Sequence, residues 1–168
     1  MKTAQKIQSS LLELLKTKEL RHITVSELSK MSRVSRNSFY RLFDTTTDVL
    51  VYACDTLSED FVKIDDYIEG GKMGPFIDNY LRYLIDHSDI LEAVYTSARP
   101  DILETSMLRI KTVKYPGMSD SPTLEYINGL SCAASISILM IWIRRGKRET
   151  PEELHKIFTD VFADKLFN

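Results

Sequence analysis

The residues best suited to chemistry lie close together near the N-terminus, in Ser35-Arg36-Asn37-Ser38-Phe39-Tyr40-Arg41-Leu42-Phe43. Wound at about 100° per residue, this stretch gathers Phe39, Leu42 and Phe43 on one inward face and turns Arg36, Asn37, Tyr40 and Arg41 outward. Two guanidinium groups, an amide and a phenol on one short arc are the chemistry of DNA contact. Arg pairs bidentately with guanine O6 and N7, Asn with adenine N6 and N7, and Tyr and Ser hydroxyls bind phosphate. Residues at the start of such a helix are the ones that reach base edges. Helix starts at Thr24 and Ser35 add backbone N–H groups for phosphates.

Those side chains need elements to hold them. Thr24-Val25-Ser26-Glu27 reads as a capping box, with Ile23 and Leu28 at the two positions of a hydrophobic staple. The pattern returns with Ser35 as N-cap and Val34 and Phe39 as the staple, across a tight turn at Ser32-Arg33-Val34. Two capped helices so joined make a helix-turn-helix. A polar arc on a short helix also arises from plain solvation, with Thr24 and Ser35 as caps only. The doubled cap-and-staple spacing and the local charge favour DNA.

The remaining chain reads as helical, with no alternating stretch long enough for a strand. A first helix over about 3–18 carries Ile7, Leu11, Leu14 and Leu15 on one face. A long fourth helix starts near Thr45 to Thr47, with Asp48 in its first turn, and runs along a seam of Leu50, Cys54, Leu57, Phe61, Ile64 and Ile68 to Gly70-Gly71. Shorter helices follow at about 75–86, 88–97 and 100–114. Ser121-Pro122 opens a long uncharged helix that closes at Arg144-Arg145-Gly146. Thr150-Pro151-Glu152-Glu153 caps a last helix with Leu154, Ile157, Phe158, Val161 and Phe162 on one side. The fold class expected is all-α with about nine helices.

Charge sorts this chain into two parts. Its 168 residues carry 22 basic and 24 acidic side chains, a net of −2. Residues 1–43 hold nine basic and three acidic side chains, net +6, leaving 13 basic and 21 acidic over 44–168, net −8. A basic head on an acidic body implies different partners for each. With 43% hydrophobic residues and only 6 Gly and 5 Pro, disordered and collagen-like classes are excluded. Cys54 and Cys132 stand in no metal-ligand spacing, and His22, His87 and His155 are scattered, so no metal or cofactor is expected. No Ser/His/Asp set, Glu-x-x-His, phosphate loop or carboxylate pair suggests an enzyme. The N-terminus lacks the apolar region of a signal peptide. Tyr126 to Ile143 is free of charge, but Asn128, Gly129, Ser131, Ser135 and Ser137 interrupt it. A helix buried in a core or against another chain is expected there rather than a membrane span, in a protein of the cytoplasm.

From Ile23 to Leu50 the sequence ITVSELSKMSRVSRNSFYRLFDTTTDVL resembles the DNA-binding region of the TetR family of transcriptional regulators. The resemblance implies a homodimer that presents paired recognition helices to double-stranded DNA, most often as a repressor on a pseudo-palindromic operator. It implies a DNA-binding domain over 1–46 and a helical effector-binding and dimerisation domain over 47–168. Matched by position, Thr24, Ser35, Arg36, Asn37, Ser38, Tyr40 and Arg41 would face DNA. Three positions depart from the family pattern. Arg33 replaces a usual turn glycine and is a further candidate phosphate contact, Asn37 replaces a common glycine, and Thr46, standing where a phosphate-binding Lys is frequent, still offers a hydroxyl and is kept as a DNA-binding candidate.

The C-terminal stretch YINGLSCAASISILMIWIRRGKRETPEELHKIF resembles the branch of dihydroxyacetone kinase regulators, in which the last two helices pack against their mates. Ile127, Leu130, Ala134, Ile138, Ile141, Trp142, Phe158 and Phe162 are the dimer candidates, with Gly129 and Ala133 permitting close approach; a core role is the rival reading. Phe61, Tyr80, Tyr83, Tyr95 and Met107 are candidates to line an effector pocket, or are core. A small molecule or a partner protein could be the effector. The alternative function is a helical adaptor or coregulator whose C-terminal domain binds a partner protein.

Overall fold

The computed structural model describes residues 2–65, 81–114 and 122–160, and its regular structure there is entirely helical. Helix α1, Thr3–Leu15, buries Ile7, Leu11 and Leu15. It stops short of Lys18 because Lys16 and Lys18 fold their backbone N–H groups back onto Glu13 and Leu14, and a 3₁₀ turn at Leu20–His22 follows. Helix α2, Val25–Ser32, begins where Thr24 Oγ1 accepts from the Glu27 N–H at 3.2 Å. The other half of the expected box does not form, because the Glu27 carboxylate takes the Lys18 ammonium instead; a charge-assisted bond outcompetes a neutral N–H.

Between α2 and α3, Arg36–Tyr40, the chain turns through Arg33 at φ 55°, ψ 40°, and the Val34 N–H reaches back to Ser29 O at 3.0 Å. Helix α4, Thr46–Asp65, is the spine. After it come a helical segment at 81–86 (α5), α6 at Ser88–Thr96, α7 at Pro100–Lys114, α8 at Pro122–Arg144 and α9 at Pro151–Thr159. The box at Thr150 and Glu153 forms in both directions, at 3.3 and 2.8 Å. Part of the predicted helix over 75–86, the end of the α4 seam at Ile68, and Val161 and Phe162 lie outside the described residues.

One apolar core runs from head to body. Ile7, Leu11, Leu28 and Phe39 are wholly buried in the head, and Val49, Leu50 and Cys54 of α4 carry the same core upward to Leu91, Val94 and Leu103. Each such side chain contributes about 1.5–3 kcal/mol by leaving water. Cys54 belongs to this packing as expected. Burial, helped by Asp55 and Asp101, pushes its thiol up to about 12, so it stays protonated and unreactive at neutral pH. A polar tie reinforces the spine: Ser106 Oγ of α7 donates to Asp55 Oδ1 at 2.7 Å, and the Arg109 guanidinium pairs with the same carboxylate.

Helix α8 has two apolar faces. Cys132, Ile136, Leu139 and Trp142 are buried against the protomer's own body, while Ile127, Leu130 and Ile141 are 45, 49 and 46% exposed on another side. The helix is long and apolar enough to cross a membrane, yet one stripe of it packs on α6 and α7.

Candidate nucleic-acid interface

The head is built so that α3 is fixed from behind and open in front. Phe39 is fully buried, with the Phe43 ring 5.8 Å away and the Tyr40 ring edge-on at 5.7 Å. In front, Arg36, Asn37, Tyr40 and Arg41 are all exposed, as the helical projection places them. Leu42 corrects that projection. It was expected on the inward face but is 48% exposed. The reason is the brevity of α3. After Tyr40 the Leu42 N–H bonds three residues back to Phe39 O at 2.8 Å, and this tighter winding rotates Leu42 outward while Phe43 still enters the core.

Serines set the start of α3. Ser35 Oγ accepts from the Ser38 N–H at 3.1 Å and donates to Ser38 Oγ at 2.9 Å, and Arg41 Nη2 donates to Ser38 Oγ at 3.1 Å. Ser35 and Ser38 therefore spend their hydroxyls on ordering the helix, and Arg41 is held over it. Arg36 and Asn37 have no side-chain partner among the described residues. They meet a ligand without first breaking a bond. Thr24 is exposed, its hydroxyl engaged as the cap of α2.

Arg33 sits in the left-handed region that favours glycine, which costs a side-chain-bearing residue about 1–2 kcal/mol. It is exposed at the turn between α2 and α3. Arg33→Gly is expected to raise stability by about 0.5–1 kcal/mol in a denaturant titration. The same variant should bind DNA more weakly, read by fluorescence anisotropy, because each head has one cation fewer. Unchanged DNA affinity would remove Arg33 from the interface.

Thr46 is placed less favourably. The start of α4 is satisfied by its own chain: Asp48 Oδ2 accepts from the Asp44 N–H at 3.1 Å, the Thr45 N–H at 2.7 Å and Thr45 Oγ1 at 3.0 Å. This acidic cap could be read in the sequence only as a dipole-complementing acid, not as a lock on the loop. With Asp44 and Asp48 on either side, Thr46 stands in a poor place to receive a phosphate. It is half-buried and lines a cleft of about 450 Å³ between head and body, with Arg21, Ser97 and Arg99 on the other walls. Arg99 is committed there to Asp101, with Nε and Nη2 on the two carboxylate oxygens at 2.9 and 2.8 Å. That pairing holds the Asp101 carboxyl below its usual range.

Of the candidates for an effector pocket, Tyr83, Tyr95 and Met107 have described side chains. Tyr83 is half-buried, donates to Leu57 O at 3.2 Å and lies with its ring 4.3 Å from the His87 ring. It works as a tie between α4 and α5, and burial, with Asp60, pushes its phenol up to about 12. Met107 is core and Tyr95 is 41% exposed on α6. The Phe61 side chain and Tyr80 lie outside the described residues.

The dimer candidates divide in two. Ile127, Leu130 and Ile141 are exposed, and Ala134 and Ile138 are half-buried beside them. Trp142 and Phe158 are 4 and 2% exposed within the single chain, and Trp142 Nε1 donates to Glu149 O at 3.1 Å. Their surface is used up in the protomer, which corrects their place among the mate-facing residues. Phe162 lies outside the described residues. Ile157, 38% exposed, joins Ile138 and Ile141 in lining an apolar groove of about 310 Å³ between α8 and α9.

This architecture, a capped helix-turn-helix on a long spine helix beneath a helical body, is the fold of the TetR-type transcription regulators. Among solved structures, the fatty acid degradation regulator FadR from Bacillus halodurans superposes with a TM-score of 0.72 at 9% identity, covering 100% of this chain and 98% of its own. A TetR-family transcriptional regulator from Streptomyces coelicolor gives 0.58 at 18% identity over 95% of this chain and 80% of that one. The dihydroxyacetone kinase operon activator DhaS gives 0.57 at 18% identity over 95 and 93%. Neither a protein-family model nor a curated protein matches the sequence.

Proposed function

We propose that this chain is a DNA-binding transcription regulator that acts as a homodimer on a pseudo-palindromic operator, with its α3 helices in successive major grooves about one turn, ~34 Å, apart. The observation that carries the reading is the front of α3, where Arg36, Asn37 and Tyr40 stand exposed on a helix whose back is locked by Phe39. The head would span 1–46 and the body 47–168. The mate would seat on the exposed stripe of α8, since an apolar face of this kind is what a two-fold partner buries.

In this reading the body responds to a small molecule or a partner protein. Helix α4 packs on α1 at the head and on α7 in the body, so a ligand that prefers one body geometry changes the spacing of the two heads. A coupling of ~1–3 kcal/mol alters operator affinity ~5–150-fold. Occupying an operator over a promoter represses. The fold also serves an activator, DhaS, so the sign of regulation follows from where the operator lies.

Capture of genomic fragments at moderate salt, followed by sequencing, tests the proposal. One enriched family of inverted repeats is expected. Binding with no sequence enrichment would leave an adaptor or architectural role instead.

A further inference from the structure

The acidic body carries one concentrated exception. Four of its 13 basic residues fall within five positions, Arg144, Arg145, Lys147 and Arg148, and all four are exposed. Cations at the end of a helix complement its dipole, but that effect is confined to the last turn. That effect does not reach Lys147 and Arg148, which lie beyond the helix.

The loop is held rigidly and in a particular place. Gly146 and Lys147 take positive φ of 78° and 56°, and the Lys147 N–H returns to Trp142 O at 2.9 Å. The Trp142 indole clamps Glu149 from the other side, and Arg145 Nε pairs with the Glu149 carboxylate at 2.6 Å. The Lys147 ammonium pairs with Glu92 of α6. Gly146 and Lys147 also share a cleft of about 320 Å³ with Leu12, Leu15 and Lys16 at the end of α1. Two residues further along, Lys18 grips Glu27 in the first turn of α2, where Thr24 caps the DNA-reading unit. The cluster thus abuts the head. Within it Lys147 and Arg145 are occupied, while Arg144 and Arg148 form no ion pair among the described residues.

We propose that the α8–α9 loop is a second DNA-contacting surface, in which Arg144 and Arg148 bind backbone phosphates outside the bases read by α3. A net charge of −8 over 44–168 repels DNA from the body, and two guanidinium groups without an ion pair among the described residues, on the loop whose Gly146 and Lys147 meet α1, would offset this. Such contacts carry no sequence information; they add affinity and salt dependence.

This inference rests on the DNA-binding reading above, and the test separates the two. A mixed-sequence 40-bp duplex serves as probe, because counterion release does not depend on sequence. Anisotropy titrations over about 50–200 mM salt give the slope of log K against log[salt], whose magnitude drops by ~0.9 for each phosphate that is no longer neutralised. Arg144→Gln/Arg148→Gln is expected to reduce the magnitude of the slope by about 1.8 per protomer engaged, with thermal stability unchanged. Arg144→Lys/Arg148→Lys should restore it. A wild-type slope in the Gln pair overturns the second surface and leaves the head's role standing. Absence of wild-type binding at the lowest salt overturns the DNA reading and this inference with it.

Discussion

Ile141→Glu is expected to leave the protomer folded, separate the two subunits, and lower affinity for a two-half-site operator by at least ~10³-fold, the lower end of the gap between specific and non-specific binding. The side chain is 46% exposed in the single chain, so the substitution opens no cavity and buries no charge within the protomer. In the proposed dimer it would place two carboxylates in an apolar interface, at a cost of several kcal/mol for each ion removed from water. Dissociation is the cheaper outcome. A monomer carries one recognition helix and forgoes the second half-site. Analytical ultracentrifugation would show the change of mass, circular dichroism the retained helix, and anisotropy the weakened binding. A variant that remains dimeric and binds as before would place the interface elsewhere.

The second large effect belongs to α3. Arg36→Ala and Tyr40→Ala are each expected to remove specific operator binding while dimer mass and thermal stability stay as in the wild type. One bidentate contact to a base is worth about 1–3 kcal/mol of discrimination. A two-fold dimer makes the substitution twice, so the loss for Arg36→Ala is about 2–6 kcal/mol, or ~30-fold to ~10⁴-fold. Neither side chain is core: Arg36 has no side-chain partner among the described residues, and Tyr40, 49% exposed, gives up only its edge-on contact with the Phe39 ring. A drop in melting temperature matching the loss of affinity would mean that they act on structure. If both variants bind like wild type, α3 is not the reading element.

Much of this arrangement is legible in the sequence because capping is local chemistry. Thr24, Ser35 and Thr150 each announce a helix start through a hydroxyl three residues before the N–H that it accepts, and no distant residue is needed to see it. The breaks and the front of α3 follow from the same short-range rules. What periodicity leaves open is which partner an apolar face meets. Trp142 and Ile141 are neighbours in a run without charge, yet one is 4% exposed and the other 46%; only the positions of α6, α7 and α9 decide that. Phe158 is misassigned for the same reason. Leu42 fails for another, because a projection assumes that the helix continues, whereas α3 ends at Tyr40. Glu27 shows long-range competition directly, since Lys18, nine residues away, claims the carboxylate that the local motif reserves for a backbone N–H.

The body is less legible than the head. Aromatic residues at helical spacing serve a core and a pocket equally well, and Tyr83, tied to Leu57 O and stacked on His87, spends its polar atom on structure. The head differs because the Arg36 guanidinium and the Asn37 amide are exposed and have no side-chain partner among the described residues, a condition that only a solvated or ligand-meeting face sustains.

Hydroxyl-radical footprinting of wild-type protein on an enriched genomic fragment tests the central claim most directly, because it reports where two heads sit on one duplex. The expected result is two protected patches on one face, centred about one helical turn or ~34 Å apart, related by the inverted repeat and both absent in Arg36→Ala. A single patch, continuous protection without symmetry, or a footprint that survives Arg36→Ala would contradict it.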